Sequence, residues 1–195
     1  MKILFTVQPL FGHFHIMVPL ASALKAEGHD VFFATGKAFG HVVERAGFKH
    51  LPCGFDFDGS GEILFQLPEW REIEAEISDV GRRAVNGFVR GLGPRMADDL
   101  IALLPSLNPD LVIRDMMEVG GYIAAELAGV PHATISWGFY ASIERICPQA
   151  LRNLKERYEL SLNNNLHALD PTFRRSRRSF FRNFIEPRYL PGNRA

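Results

Sequence analysis

Three times along this chain a helix-like run ends at a glycine that leads within a few residues into a β-rich stretch. The three are AEGHDVFFAT around Gly28, ERAGFKHLP around Gly47 and ELAGVPHATIS around Gly129. Glycine adopts positive φ at little steric cost, so it closes a helix and turns the chain back within the short αβ loops that such folds use. Repeated alternation of helix and strand implies parallel strands joined by right-handed crossovers. The near-continuous apolar run Lys2 to Val7, KILFTV, fits a strand buried on both faces. The expected class is therefore α/β, a doubly wound parallel sheet with helices on both faces, and 195 residues, 47% of them apolar, suffice for one such domain.

The remaining elements follow the same pattern. Apolar positions Ile16, Leu20, Ala23 and Leu24 predict a helix from about His15 to Glu27 that stops at Gly28. A fourth strand is expected at residues 110–114, DLVIR, with a loop beginning at Asp115 and a helix over residues 118–128. Between strands three and four lies an insertion, residues 52–106. It opens on the loop CGFDFDGSGE, and its part from Glu69 to Leu104 reads as helical with a break near Gly91, Gly93 and Pro94. After Ser142 only a helix from Gln149 to Leu160 is expected, followed by SLNNN and a segment rich in arginine and phenylalanine, RRSRRSFFRNF. The expected organisation is a domain over residues 1–160 and a basic tail over residues 161–195, with no solenoid repeat.

Charge and cysteine content narrow the function classes. With 22 basic and 22 acidic residues the chain as a whole offers no electrostatic reason to bind nucleic acid. The balance is uneven: residues 151–195 hold ten Lys/Arg and four Asp/Glu, a net of +6, which leaves −6 for residues 1–150. For the basic tail a solvated or interdomain segment is favoured over a nucleic-acid or lipid contact, because phenylalanines interleave with the arginines. Cys53 and Cys147 lack ligand spacing, so neither a disulfide framework nor a zinc site is indicated. The N-terminal apolar run is too short for a secretion signal and no run approaches the roughly 20 residues of a membrane span. A cytoplasmic protein without a transmembrane segment is expected.

In doubly wound sheets ligands bind outside the carboxyl ends of the strands. His13, Asp115 and the segment Ser136-Trp137-Gly138 each follow an expected strand, so all three belong on that edge. The first loop holds a single glycine, Gly12, and neither GxGxxG nor a P-loop pattern, which argues against a dinucleotide or P-loop site. His13 and His15 alternate as metal ligands can, but no third ligand stands at suitable spacing, and no metal is expected. A histidine titrates near neutrality and suits general base work, and a carboxylate on its other ring nitrogen would fix its tautomer. His13 and Asp115 are the candidates. The plainer alternatives are a histidine bonded to local backbone and an aspartate that caps the next helix.

Two long segments carry a resemblance. MKILFTVQPLFGHFHIMVPLASALKAEGHDVFFAT, with Gly12-His13, Val18-Pro19-Leu20 and Gly28-His29, resembles the opening of GT-B glycosyltransferases, in particular the family 1-like bacterial enzymes that decorate natural products. PDLVIRDMMEVGGYIAAELAGVPHATISWG, residues 109–138, resembles a later strand–helix–strand unit of the same family, and DPTF and NFIEP resemble the approach to its interdomain linker. The resemblance implies the Rossmann-like N-terminal, acceptor-binding half of a GT-B fold, with the C-terminal donor-binding domain absent. His13 would deprotonate the acceptor hydroxyl and Asp115 would be its partner. The sugar would move with inversion from a nucleotide-diphosphate sugar, without a metal or a further cofactor, to a small hydrophobic acceptor. Two departures bear on the loop: Pro9-Leu10-Phe11 replaces a more glycine-rich stretch, and His15 stands where an apolar residue is usual.

The insertion 52–106 is where such enzymes build the acceptor pocket, and it offers Phe55, Phe57, Phe65, Trp70 and Phe88. Phe11, His15, Met116 and Trp137 join them as expected acceptor contacts, and Gly12 as the chain's contribution to the donor site. Each of these aromatic residues has core packing as its plainer alternative. The donor-binding domain would act in cis or in trans, and a dimer is allowed for. The competing reading is a non-catalytic small-molecule-binding module or one subunit of a split glycosyltransferase.

Overall fold

The computed structural model describes residues 1–59, 63–135 and 143–161. Its centre is a parallel sheet of five strands: β1 (Lys2–Thr6), β2 (Asp30–Thr35), β3 (Lys49–Pro52), β4 (Leu111–Asp115) and β5 (His132–Ile135). They lie in the order β3-β2-β1-β4-β5. The chain thus winds outward from β1 in one direction, then returns to place β4 against the other side of β1. The pairing Thr6 with Arg114 is the last of the β1–β4 register. Such a reversal leaves a crevice at the carboxyl ends of the two central strands.

Helices cover both faces, and β1 shows how one strand serves two cores. Ile3, Phe5 and Val7 pack with Phe14, Met17, Ala21 and Leu24 of α1 (Phe11–Ala26) and with Phe39 and Val43, the latter in α2 (Gly40–Arg45). Leu4, between them in sequence, packs on the opposite face. Its neighbours there include Met96, Leu100 and Leu104 of the long helix that precedes β4, and Ala124 and Ala125 of the helix that follows it. Alternation along a strand with both faces covered is why KILFTV reads as almost uniformly apolar.

The three junction glycines do what the sequence requires of them. Gly28, Gly47 and Gly129 have φ of 83°, 86° and 63°. At each, the next residue's N–H reaches back to the carbonyl five residues earlier: His29 to Leu24 at 3.1 Å, Phe48 to Val43 at 3.2 Å and Val130 to Ala125 at 2.9 Å. This left-handed closure satisfies the last helical carbonyls and aims the chain into the next strand.

The insertion departs from expectation. After α3 (Trp70–Glu76) the helix breaks at Ile77–Asp79, where the Asp79 side chain caps α4 (Val80–Asn86) by accepting from Arg82 N–H at 2.7 Å. From there helical backbone runs without a break through a π-helical stretch, Gly87–Leu92, into α5 (Gly93–Leu107). The break foreseen at Gly91, Gly93 and Pro94 is absent. Pro94 stands in the first turn of α5, directly after the π-helical stretch, and the helical backbone continues through it. The glycines serve packing instead: a Cβ on Gly91 would lie 2.6 Å from Leu67 Cδ1, and one on Gly93 2.4 Å from Val119 Cγ2. The remaining helices are α6 (Gly120–Ala128), α7 (Ile143–Ile146) and α8 (Pro148–Arg157). Ser136, Trp137 and Gly138, all of SLNNN but its first residue Ser161, DPTF, NFIEP and the arginine-rich run lie outside the described residues.

Candidate functional site at the carboxyl edge of the sheet

The first helix starts earlier than its sequence suggests, and this moves His13. Rather than closing a loop, His13 sits in the first turn of α1, which begins at Phe11. Leu10 precedes the helix with extended backbone and gives no side-chain cap, so the usual Ser, Thr, Asp or Asn signal for a helix start is missing. The short Gln8-Pro9-Leu10 link from β1 therefore delivers the imidazole directly to the crevice between β1 and β4. Asp115 enters from the other side as the last residue of β4.

The two side chains meet. His13 Nδ1 lies 2.6 Å from Asp115 Oδ2. Asp115 is fully buried, while the His13 side chain retains 11% exposure. A carboxylate only accepts, so Nδ1 donates in this contact, and a neutral ring then has its lone pair on Nε2. That is the tautomer a general base needs, with the carboxylate placed to stabilise the imidazolium once Nε2 gains a proton. The ring of Phe88, from the π-helical stretch, stands 5.5 Å from the imidazole. Helical distortions of this type recur at functional sites.

The alternative role for Asp115, capping the following helix, falls to another residue. Glu118 accepts from Gly120 N–H at 2.5 Å and Gly121 N–H at 2.8 Å, the first donors of α6. Sequence reasoning placed Glu118 only at a helix start. The available signal was a carboxylate two residues ahead of a Gly-Gly pair, whose N–H groups no side chain shields.

The aromatic residues divide. Phe57 and Trp70 are buried in one apolar cluster with Leu67 and Leu92, against which Leu10, Phe55 and Phe88 pack. Phe88 also borders a second cluster that holds Met116, itself buried. Phe65 is 57% exposed, with its ring 4.9 Å from that of Trp70. Phe11 is 43% exposed, 5.2 Å from Phe39, and His15 lies in the open beside it at 5.8 Å. Gly12 is exposed, with open space where a Cβ would stand. Among the buried polar atoms without a hydrogen-bond partner in the described residues, Gln8 Nε2 and Thr35 Oγ1 come from this same sheet edge. Neither was singled out in the sequence, which gives no sign of partnering. No group of three or more metal-ligating side chains occurs among the described residues.

Residues 22–170 match the family described as the N-terminal domain of erythromycin biosynthesis protein CIII-like proteins. That match covers most of the chain. The protein belongs to this family. Asp115 falls inside the matched span and His13 ahead of it. The chain is similar to L-demethylnoviosyl transferase of Streptomyces niveus, 36% identical over 138 residues that cover 71% of this chain and 35% of the relative. To TDP-daunosamine transferase of Streptomyces peucetius it is 29% identical over 154 residues, 71% of this chain and 36% of the relative. Among solved structures, the glycosyltransferase SsfS6 of Streptomyces sp. SF2575, complexed with thymidine diphosphate, superposes with a TM-score of 0.66 at 25% identity. That superposition covers 82% of this chain and 46% of SsfS6. Glycosyltransferase VinC in complex with dTDP gives a TM-score of 0.64 at 26% identity, over 85% of this chain and 46% of VinC. The chain thus spans about a third of the length of these curated relatives and is the N-terminal part of a GT-B fold.

Proposed function

We propose that the chain is the acceptor-binding half of an inverting glycosyltransferase, with His13 as general base. The observation that carries this reading is the His13–Asp115 contact of 2.6 Å at the crevice between β1 and β4. An acceptor hydroxyl gives its proton to His13 Nε2 as its oxygen attacks the anomeric carbon of a nucleotide-diphosphate sugar. The new C–O bond forms opposite the bond to the diphosphate, which departs with the electron pair, and the configuration inverts. Asp115 holds the imidazolium that results. Displacement from the opposite face needs base and donor on two sides of a cleft, so the reaction waits on a donor-binding domain. That domain is supplied in cis or in trans, in keeping with nucleotide diphosphates in the SsfS6 and VinC complexes. In this reading the acceptor contacts come from Phe11, His15, Phe55, Phe65 and Phe88, with Phe57, Trp70 and Met116 buried behind them and Trp137 assigned from its place in the sequence alone, and the exposed Gly12 belongs to the donor side.

The test is reconstitution. Purified chain with nucleotide sugar and a hydrophobic hydroxylated acceptor should transfer no sugar at a sustained rate, and adding or fusing a donor-binding half should switch transfer on. Sustained transfer by the chain alone would overturn the half-enzyme reading. The stereochemistry of the product, read by NMR at the anomeric carbon, tests inversion separately.

A further inference from the structure

Glu118 is a fully buried carboxylate to which the chemistry above gives no part. Its Oε2 accepts from Thr6 Oγ1 at 2.5 Å and from Gly121 N–H at 2.8 Å, and its Oε1 accepts from Gly120 N–H at 2.5 Å. Its backbone is held as firmly. Glu118 N–H donates to the Asp115 carbonyl at 3.0 Å, and its own carbonyl accepts from the buried Arg114 guanidinium at 2.9 Å. Burial pushes the Glu118 carboxyl up from the usual range, while the Thr6 hydroxyl, Arg114 and the two glycine N–H groups oppose that rise. Space around the carboxylate is tight: a Cβ on Gly121 would lie 2.3 Å from Thr6 Oγ1 and 2.6 Å from Glu118 Oε2.

A helix cap does not require this arrangement. Capping is a local task that a short exposed side chain performs, whereas Glu118 reaches across to β1. The place it reaches is where the sheet opens, since Thr6 and Arg114 form the last register pair of β1 and β4 and Asp115 is the next residue. His13 follows from β1 and Asp115 ends β4, so the relative position of these two strands beyond that pair sets the geometry of the dyad. We propose that Glu118 is a positioning residue: its carboxylate clips β1 to the start of α6, fixes the turn after Asp115, and so aims the Asp115 carboxylate at His13 Nδ1. This proposal rests on His13 being the base, but its effect is visible on the ring itself.

The experiment uses the 195-residue chain with ¹⁵N-labelled histidine, whose two ring nitrogens report the tautomer. The wild-type chain should show His13 with its proton on Nδ1. E118A should populate the Nε2–H tautomer. E118Q should fall between, because its amide oxygen still accepts from Thr6 and Gly121 while its NH2 group meets the Gly120 N–H. G121A, which forces Thr6 and Glu118 apart, should act in the same direction as E118A. Circular dichroism establishes that each variant is folded, and T6V and G121A take the place of E118A if that variant fails to fold. In the reconstituted transferase E118A should lower kcat about 10²-fold, the cost of a small misplacement of a catalytic group, with KM for the acceptor unchanged. A wild-type tautomer and kcat in E118A, or in both substitutes, would overturn the proposal. An active H13A beside a shifted tautomer in E118A would remove the base reading and leave the clip standing. An inactive H13A beside an unchanged tautomer would do the reverse.

Discussion

The sheet has a histidine–carboxylate pair at each end. At the carboxyl edge His13 meets Asp115 at 2.6 Å, and at the amino edge His132, the first residue of β5, meets Glu126 of α6 at 2.8 Å. Judged on distance alone the two are equivalent. Their settings differ. His13 comes from the start of a helix and Asp115 from the end of a strand, on either side of the crevice where the strand order reverses, and the aromatic cluster of the insertion stands beside them. His132 is 5% exposed, its ring edge-on to Tyr122 at 5.5 Å, and its partner lies only six residues before it. One pair bridges the two halves of the sheet at its carboxyl edge; the other fastens a helix to the strand that follows it. In the proposed reading, a histidine–carboxylate contact acquires a chemical role from its place in the topology.

The largest expected effect breaks the first pair. H13A in the reconstituted transferase should lower turnover by about 10³-fold, within the 10² to 10⁴ that a general base contributes. Wild-type turnover in H13A would remove the histidine from the mechanism. D115N should cost less than H13A, because the asparagine oxygen can still accept from Nδ1 while the charge that stabilises the imidazolium is gone. If D115N proved as damaging as H13A, Asp115 would be needed for more than orienting and stabilising the ring.

Breaking the second pair should separate stability from activity. H132A removes a buried ring that packs edge-on against Tyr122 and breaks the contact with Glu126, at a cost of about 1 to 3 kcal/mol in unfolding free energy. Urea denaturation measures the loss, and turnover per folded molecule should stay at the wild-type value. A fall in kcat without a fall in stability would put the amino edge in communication with the chemistry.

How far these sites could be read in advance depended on how local their signals are. The junction glycines, the strands and the edge that gathers His13 and Asp115 follow from short-range rules of helix closure and strand burial. The start of α1 was misplaced to His15 because Leu10 supplies no cap, and a helix that starts without a capping side chain leaves no mark in sequence. The unbroken run from α4 to α5 was read as interrupted because Gly91, Gly93 and Pro94 are breakers by propensity. What the glycines answer to is tertiary, namely the approach of Leu67 and Val119, while Pro94 stands in the first turn of α5. Glu118 stayed obscure for the same reason: its partner Thr6 is 112 residues away.

A third charge pair at the amino edge sets the lower bound of the comparison. Lys49 and Asp30 open two adjacent strands and approach to 3.2 Å, but their side chains are 63% and 66% exposed. Water screens such a pair and two flexible side chains must be held to make it, so its net contribution is near the floor for ion pairs. D30N should leave the denaturation midpoint of the chain unchanged, in low salt as in high, even though the contact is only about half an ångström longer than that of the buried dyad. A drop in D30N that shrinks at high salt would mean that the Asp30–Lys49 pair contributes more than its exposure allows. Burial and position in the winding order, more than proximity of opposite charges, then separate the three pairs.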